Sequence, residues 1–114
     1  MTQNNIEKIF LIHIQLAIQE IENFSQGITW EDFLRNREKQ SAIERQLEII
    51  GEAVKNLPED FKNKYQEIPW RDIASMRDNL IHVYFGVDLE TVWKTIKNDL
   101  PIFKNKIENL LKEL

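Results

Sequence analysis

Between Arg77 and Phe85 the chain sets Arg77, Asp78, His82 and Tyr84 on about two turns of one predicted helix, in a protein with only two histidines. These groups suit phosphate chemistry. The guanidinium of Arg77 is permanently charged and offers a planar fork of donors that matches phosphate oxygens. The imidazole of His82 titrates near neutrality, so it can take or give a proton. Asp78 stands four residues before His82, close enough on a helix to orient the ring or hold its proton. None of this requires a metal ion. The other histidine, His13, is distant in sequence and no acidic cluster has ligand spacing, so neither metal nor other cofactor is expected.

Helical geometry limits what one helix can do with these groups. At 100° per residue, Ile73, Met76, Leu80 and Val83 form an apolar stripe about 80° wide that must face a core. His82 lies about 140° from the centre of that stripe, at the surface, whereas Arg77 and Tyr84 fall within about 20° of each other at its edge. Arg77 and His82 therefore diverge by about 140° and need a second surface to complete a site. Ile81 projects between them, away from the core stripe, where an apolar side chain points to a partner helix. A two-fold dimer would set a second Arg77 and His82 opposite the first.

The rest of the chain must hold that helix in place. At 114 residues it reads as a single domain, 1–114, able to bury roughly 65% of its unfolded surface. The absence of cysteine excludes disulfides and thiolate metal sites and fits a reducing compartment. The longest early apolar run, Ile9 to Ile12, is far short of the ~20 residues of a membrane span, and no secretory signal precedes it. A soluble, cytoplasmic protein with no membrane contact is expected. The net charge of −4 argues against a dedicated nucleic-acid binder, whose affinity rests on clustered Lys and Arg, so any such contact must be local.

The apolar periodicity is helical almost throughout, predicting an all-α antiparallel bundle of about four to six helices. Ile6, Ile9, Phe10, His13, Leu16, Ala17, Ile21 and Phe24 mark a first helix ending near Gly27. Thr29 and Asp32 resemble a capping box opening a short helix. After a polar stretch from Arg35 to Ser41, a second long helix carries the seam Ile43, Leu47, Ile50, Val54 and Leu57. Pro58 stops it and starts a short helix with Glu59 and Asp60 in its first turn. The third long helix runs from Trp70 to about Phe85, where Gly86 breaks it. Asp88 caps a further helix, and Pro101 divides that from the last.

Several other residues invite a role and a plainer account. His13, within the first apolar stripe, reads as a satisfied buried histidine rather than a second base, and Glu20 as its polar companion or an interface residue. Gly51 in mid-helix costs about 1 kcal/mol against Ala and points to close helix packing ahead of ligand contact. Glu52 either orients an arginine near the cleft or faces solvent. Trp70 and Trp93 read as core or interface aromatics, and the lysines from Lys94 to Lys112 as a solvated face.

At Arg77, His82 and Tyr84 the chain resembles the HEPN superfamily and, within it, the HepT-like toxins, whose signature is Arg, four residues, His, any residue, Tyr. Asp78 occupies the polar position after the arginine. Leu11 to Ile18, Leu47 to Ala53, Ile68 to Arg71, Met76 with Arg77, and Trp93 followed by Asp99 to Pro101 also look like that family's landmarks. The resemblance implies a dimerising antiparallel bundle and a metal-independent endoribonuclease toxin. It implies a partner too, a minimal nucleotidyltransferase antitoxin of the MntA type that adds AMP to the motif tyrosine, Tyr84. His82 would then be the general acid or base and Arg77 the group that stabilises the phosphate, with RNA as substrate and a homodimer as the working form. A catalytically silent subunit that docks a nucleotidyltransferase and binds nucleotide, and a purely structural helical dimer, are the competing readings. The sequence does not name the RNA.

Overall fold

A computed structural model describes residues 3–75 and 88–114. Helix α1 spans Gln3–Ser25, α2 Trp30–Arg35, α3 Arg37–Asn56 and α4 Glu59–Lys64. Helix α5 begins over residues 70–75. Helix α6, Leu89–Lys94, passes through a π-helical turn, Thr95–Asp99, into α7, Leu100–Glu113. All regular structure among the described residues is helical, as the periodicity requires.

The helix ends are set by local chemistry. The chain leaves α1 through Gly27 at φ +74°, a left-handed conformation that costs glycine least. Thr29 and Asp32 form the expected capping box: the Thr29 hydroxyl accepts the Asp32 N–H at 3.1 Å and the Asp32 carboxylate accepts the Thr29 N–H at 3.0 Å. The polar stretch from Arg35 hides a second cap. Asn36 accepts the Lys39 N–H at 3.0 Å and opens α3 at Arg37, so α3 begins inside the stretch expected to precede it.

Helix α1 packs along α3 more extensively than any other pair of described elements. Lys39, in the first turn of α3, donates from Nζ to the Phe24 carbonyl at 2.8 Å, which puts the start of α3 at the end of α1 and makes the two antiparallel. Lys104, near the start of α7, holds both carboxylate oxygens of Glu22 at 2.9 and 3.0 Å, so α7 also runs antiparallel to α1. These hydrogen bonds raise the Lys104 ammonium above its ordinary pKa. The shared core consists of Leu11, Ile14, Ile18 and Ile21 from α1, Ile43, Leu47, Ile50 and Val54 from α3, and Leu100, Phe103, Ile107 and Leu110 from α7. Each such side chain contributes about 1.5–3 kcal/mol through burial.

Two expectations are corrected here. The stripe Ile6, Ile9, Phe10, His13, Leu16, Ala17, Ile21 and Phe24 meets the core along one edge alone: Ala17 and Ile21 are buried and Phe10 and Phe24 pack against it, whereas Ile6, Ile9, His13 and Leu16 are exposed. The buried face, Leu11, Ile14, Ile18 and Ile21, is centred about 100° from the stripe. His13 is exposed rather than buried, and Glu20 is exposed as well. The cause is that the first half of α1 is apolar around most of its circumference, so periodicity alone cannot select the face. Pro101 does not divide two helices either. The backbone stays helical from Lys94 through Leu100, and the Leu100 N–H reaches back five residues to the Thr95 carbonyl. The wide turn displaces the carbonyls that the proline ring would otherwise meet, so the helix continues past it.

Exchanging single residues on the two faces of α1 tests the corrected phase. Ile14→Ala should cost about 2–5 kcal/mol, whereas His13→Ala, at an exposed position of the expected stripe, should change stability by less than about 0.5 kcal/mol. Urea unfolding of both variants against the wild type measures this; equal losses would reject the phase.

Candidate active site

Arg77, Asp78, His82 and Tyr84 lie in the segment 76–87, outside the described residues, as do Met76, Leu80, Ile81, Val83 and Gly86. The structure describes the two anchors between which that segment is strung.

The first anchor is aromatic. Trp70, the first residue of α5, is buried, and its indole N–H donates to the Tyr65 carbonyl at 3.0 Å. Its ring lies 6.3 Å from Phe61, which lies 5.0 Å from Tyr65. Three rings thus clamp the start of α5 to α4. Ile73 is buried while Arg71 and Asp72 are exposed, which fixes the helical phase with which α5 sets out. The Trp70 ring is therefore core, as expected.

The second anchor is a cap. Asp88 accepts the Thr91 N–H at 3.1 Å and the Thr91 hydroxyl, opening α6. One turn later Trp93 packs 5.3 Å from Phe33 and 5.9 Å from Trp30, tying α6 to α2. The Lys97 ammonium sits 4.7 Å above the Trp93 ring. Trp93 is half-buried in this cluster, consistent with a packing role.

Beside the first anchor a groove of about 440 Å³ runs between α4 and α5, with Asn63, Gln66 and Arg71 on its rim and Pro69 and Ala74 in its wall. Lys62 also lines it, but its ammonium is committed to Glu59 at 3.2 Å and the Val54 carbonyl at 3.4 Å. The sequence reading missed this groove. Its polar residues belong to different elements, and only folding brings them together.

A second feature was visible in sequence but misassigned. Ile6, Ile9, Ile12 and Leu16 line an exposed face of α1, with Leu16 59% and Ile6 51% accessible. The excess of apolar residues over one core-facing stripe is the signal for it. Of the remaining candidates, Gly51 is buried in α3 and Glu52 half-buried beside it. The lysines after Lys94 are only partly a solvated face, since Lys104 bonds Glu22 and Lys106 donates to the Glu67 carbonyl at 2.7 Å. Among the described residues no three His, Asp or Glu side chains converge as metal ligands, and no helix is long and apolar enough to cross a membrane.

Comparison with known proteins places this bundle, and the segment strung between its anchors, in a class. Residues 14–110 match the family described as Ribonuclease HepT-like, and the chain belongs to that family, whose fold is the all-helical HEPN type. A Thermococcus cleftensis protein named "Probable ribonuclease HepT" is 54% identical over 105 residues, covering 92% of this chain and 96% of that protein. A Methanocaldococcus jannaschii protein named "Putative RNase MJ0127" is 43% identical over 107 residues, 94% of this chain and 88% of its own length. In the same organism, "Gamma-glutamylcyclotransferase and putative RNase MJ0434" is 47% identical over 107 residues, but this chain spans only 48% of it. No solved structure matches the chain.

The Asp88 cap has a pH signature. The hydrogen bonds from the Thr91 hydroxyl and then its backbone N–H hold the Asp88 carboxyl below its ordinary range. The unfolded chain then binds the proton more tightly, so the stabilisation is present above the unfolded pKa and fades as pH falls below about 4. Asp88→Asn, which keeps a capping acceptor, should lack this component. The gap in Tm between wild type and Asp88→Asn should narrow as pH is lowered from 6 to 3; a pH-independent gap would reject the assignment.

Proposed function

We propose that this protein is a metal-independent endoribonuclease that acts as the toxin of a toxin–antitoxin pair. One observation carries the reading: the match to HepT-like ribonucleases covers residues 14–110 and so includes Arg77, Asp78, His82 and Tyr84. In this mechanism His82 takes the proton of a ribose 2′-hydroxyl as the 2′-oxygen attacks the adjacent phosphorus. The bond from phosphorus to the 5′-oxygen breaks, and that oxygen takes up a proton. The products are a 2′,3′-cyclic phosphate and a 5′-hydroxyl end. General acid–base catalysis of this kind is typically worth 10²–10⁴ in rate. Arg77 neutralises charge that develops on the phosphate, and Asp78 orients the imidazole.

Tyr84 serves as the switch. Its hydroxyl displaces pyrophosphate from ATP on an MntA-type nucleotidyltransferase antitoxin, losing its proton and gaining AMP. The new phosphate and base then occupy the side of the helix that carries Arg77. The working form is a homodimer in the cytoplasm. The exposed apolar face Ile6, Ile9, Ile12 and Leu16 supports a subunit contact. Buried Ile73, the first member of the apolar stripe expected on α5, supports the helical phase that puts His82 outward.

RNA incubated in EDTA with wild type, His82→Ala and Arg77→Ala tests the chemistry. Wild type should cleave and each variant should lose at least about 100-fold; cleavage that survives both substitutions, or that depends on added metal, overturns the mechanism. Nucleotide binding without cleavage would instead favour a silent binding subunit. Intact mass after incubation with the nucleotidyltransferase and ATP should rise by AMP on wild type and stay unchanged on Tyr84→Phe.

A further inference from the structure

An acidic protein that cuts RNA cannot hold its substrate by diffuse charge. With a net charge of −4, affinity must come from a few placed cations and from contacts that favour one strand conformation. The groove between α4 and α5 has that character. Its volume of about 440 Å³ falls within the range of small-ligand sites, about 300–1,000 Å³. Its floor is fixed: Trp70 is buried and hydrogen-bonded to Tyr65, and Lys62 is tied to the end of α3. Its rim is uncommitted, since among the described residues no side-chain hydrogen bond or ion pair engages Asn63, Gln66 or Arg71, and all three are exposed. Two cations, Lys62 and Arg71, face one carboxylate, Glu59, which already pairs with Lys62.

We propose that this groove binds an unpaired nucleotide of the RNA substrate, Arg71 holding its phosphate and the amides of Asn63 and Gln66 reading the edge of its base. The proposal rests on the ribonuclease reading and adds where the strand runs and what selects its sequence. The guanidinium fork suits two phosphate oxygens. A carboxamide presents donors and an acceptor side by side, which is what an unstacked base edge requires. Pro69 and Ala74 offer an apolar wall to the face of the base, while the buried Trp70 ring is out of reach for stacking.

Helical phase connects the groove to the chemistry. If α5 continued as the sequence expects from Trp70 to Phe85, Asp78 and His82, seven and eleven residues after Arg71, would fall within about 20° of it around the axis, and His82 would follow about 16 Å farther along, a few nucleotides from the groove.

The experiment uses a randomised single-stranded RNA pool for cleavage, read by sequencing the new ends, and the same pool as uncleavable 2′-O-methyl RNA for binding. Wild type should show a base preference at one position offset from the cut. Arg71→Ala should weaken binding of the 2′-O-methyl pool about tenfold and lower the slope of log affinity against log salt by about one. Lys112→Ala, which removes the same charge from an exposed position on α7, should leave the affinity nearly unchanged. Asn63→Ala and Gln66→Ala should flatten the preference at the offset position while the preference at the cut itself persists. If wild type cleaves and the groove variants keep both affinity and preference, the groove proposal is wrong and the ribonuclease reading stands. If wild type neither cleaves nor binds, the ribonuclease reading fails and takes this proposal with it.

Discussion

The seam between α1 and α3 is the constraint on which the rest of the molecule depends. Each helix commits a row of branched aliphatic side chains to the other, and Lys39 locks the start of α3 to the end of α1. Once those two are antiparallel, the remaining elements have few choices. Helix α7 must lie against α1 in the direction that Lys104 and Glu22 enforce. The short helices α2 and α4 close the two ends of α3 and supply the rings that hold Trp93 and Trp70. The segment bearing Arg77, His82 and Tyr84 is thus joined on one side to the buried Trp70 and Ile73 and on the other to α6, which Val92 and Trp93 pack onto the bundle.

Much of this was legible in the sequence because helix ends are governed by local chemistry. Thr29 with Asp32, Pro58 and Asp88 each do in the structure what their residue types require within one turn. The seam Ile43, Leu47, Ile50, Val54 and Leu57 was equally plain, since most of the other residues of α3 are polar. Helix α1 was misread for the opposite reason. With Ile6, Ile9, Ile12 and Leu16 as apolar as the true core residues, nothing local distinguishes a face buried in the bundle from one left outside it. That choice belongs to α3, and it carried His13 to the surface.

The candidate site divides in the same way. The signature residues stand out in sequence because a guanidinium, an imidazole and a phenol at fixed spacing are uncommon. The groove between α4 and α5 does not, because Asn63, Gln66 and Arg71 are ordinary surface residues until the turn after α4 brings them to one rim. Reactive groups at fixed spacing leave a trace in composition, whereas a groove is written in the meeting of separate elements.

The π-helical turn between α6 and α7 also has a meaning for how this chain can change. Val92, Ile96 and Leu100 are spaced by four, and on a regular α-helix that spacing would walk the buried side chains about 80° around the axis. All three are nonetheless buried, in line with Phe103 and Ile107, because the wide turn spends an additional residue and returns the row to its face. The turn works as a vernier between two registers of one continuous helix. Sequence drift on either side of it can proceed independently, so long as a single residue of slack is kept between them.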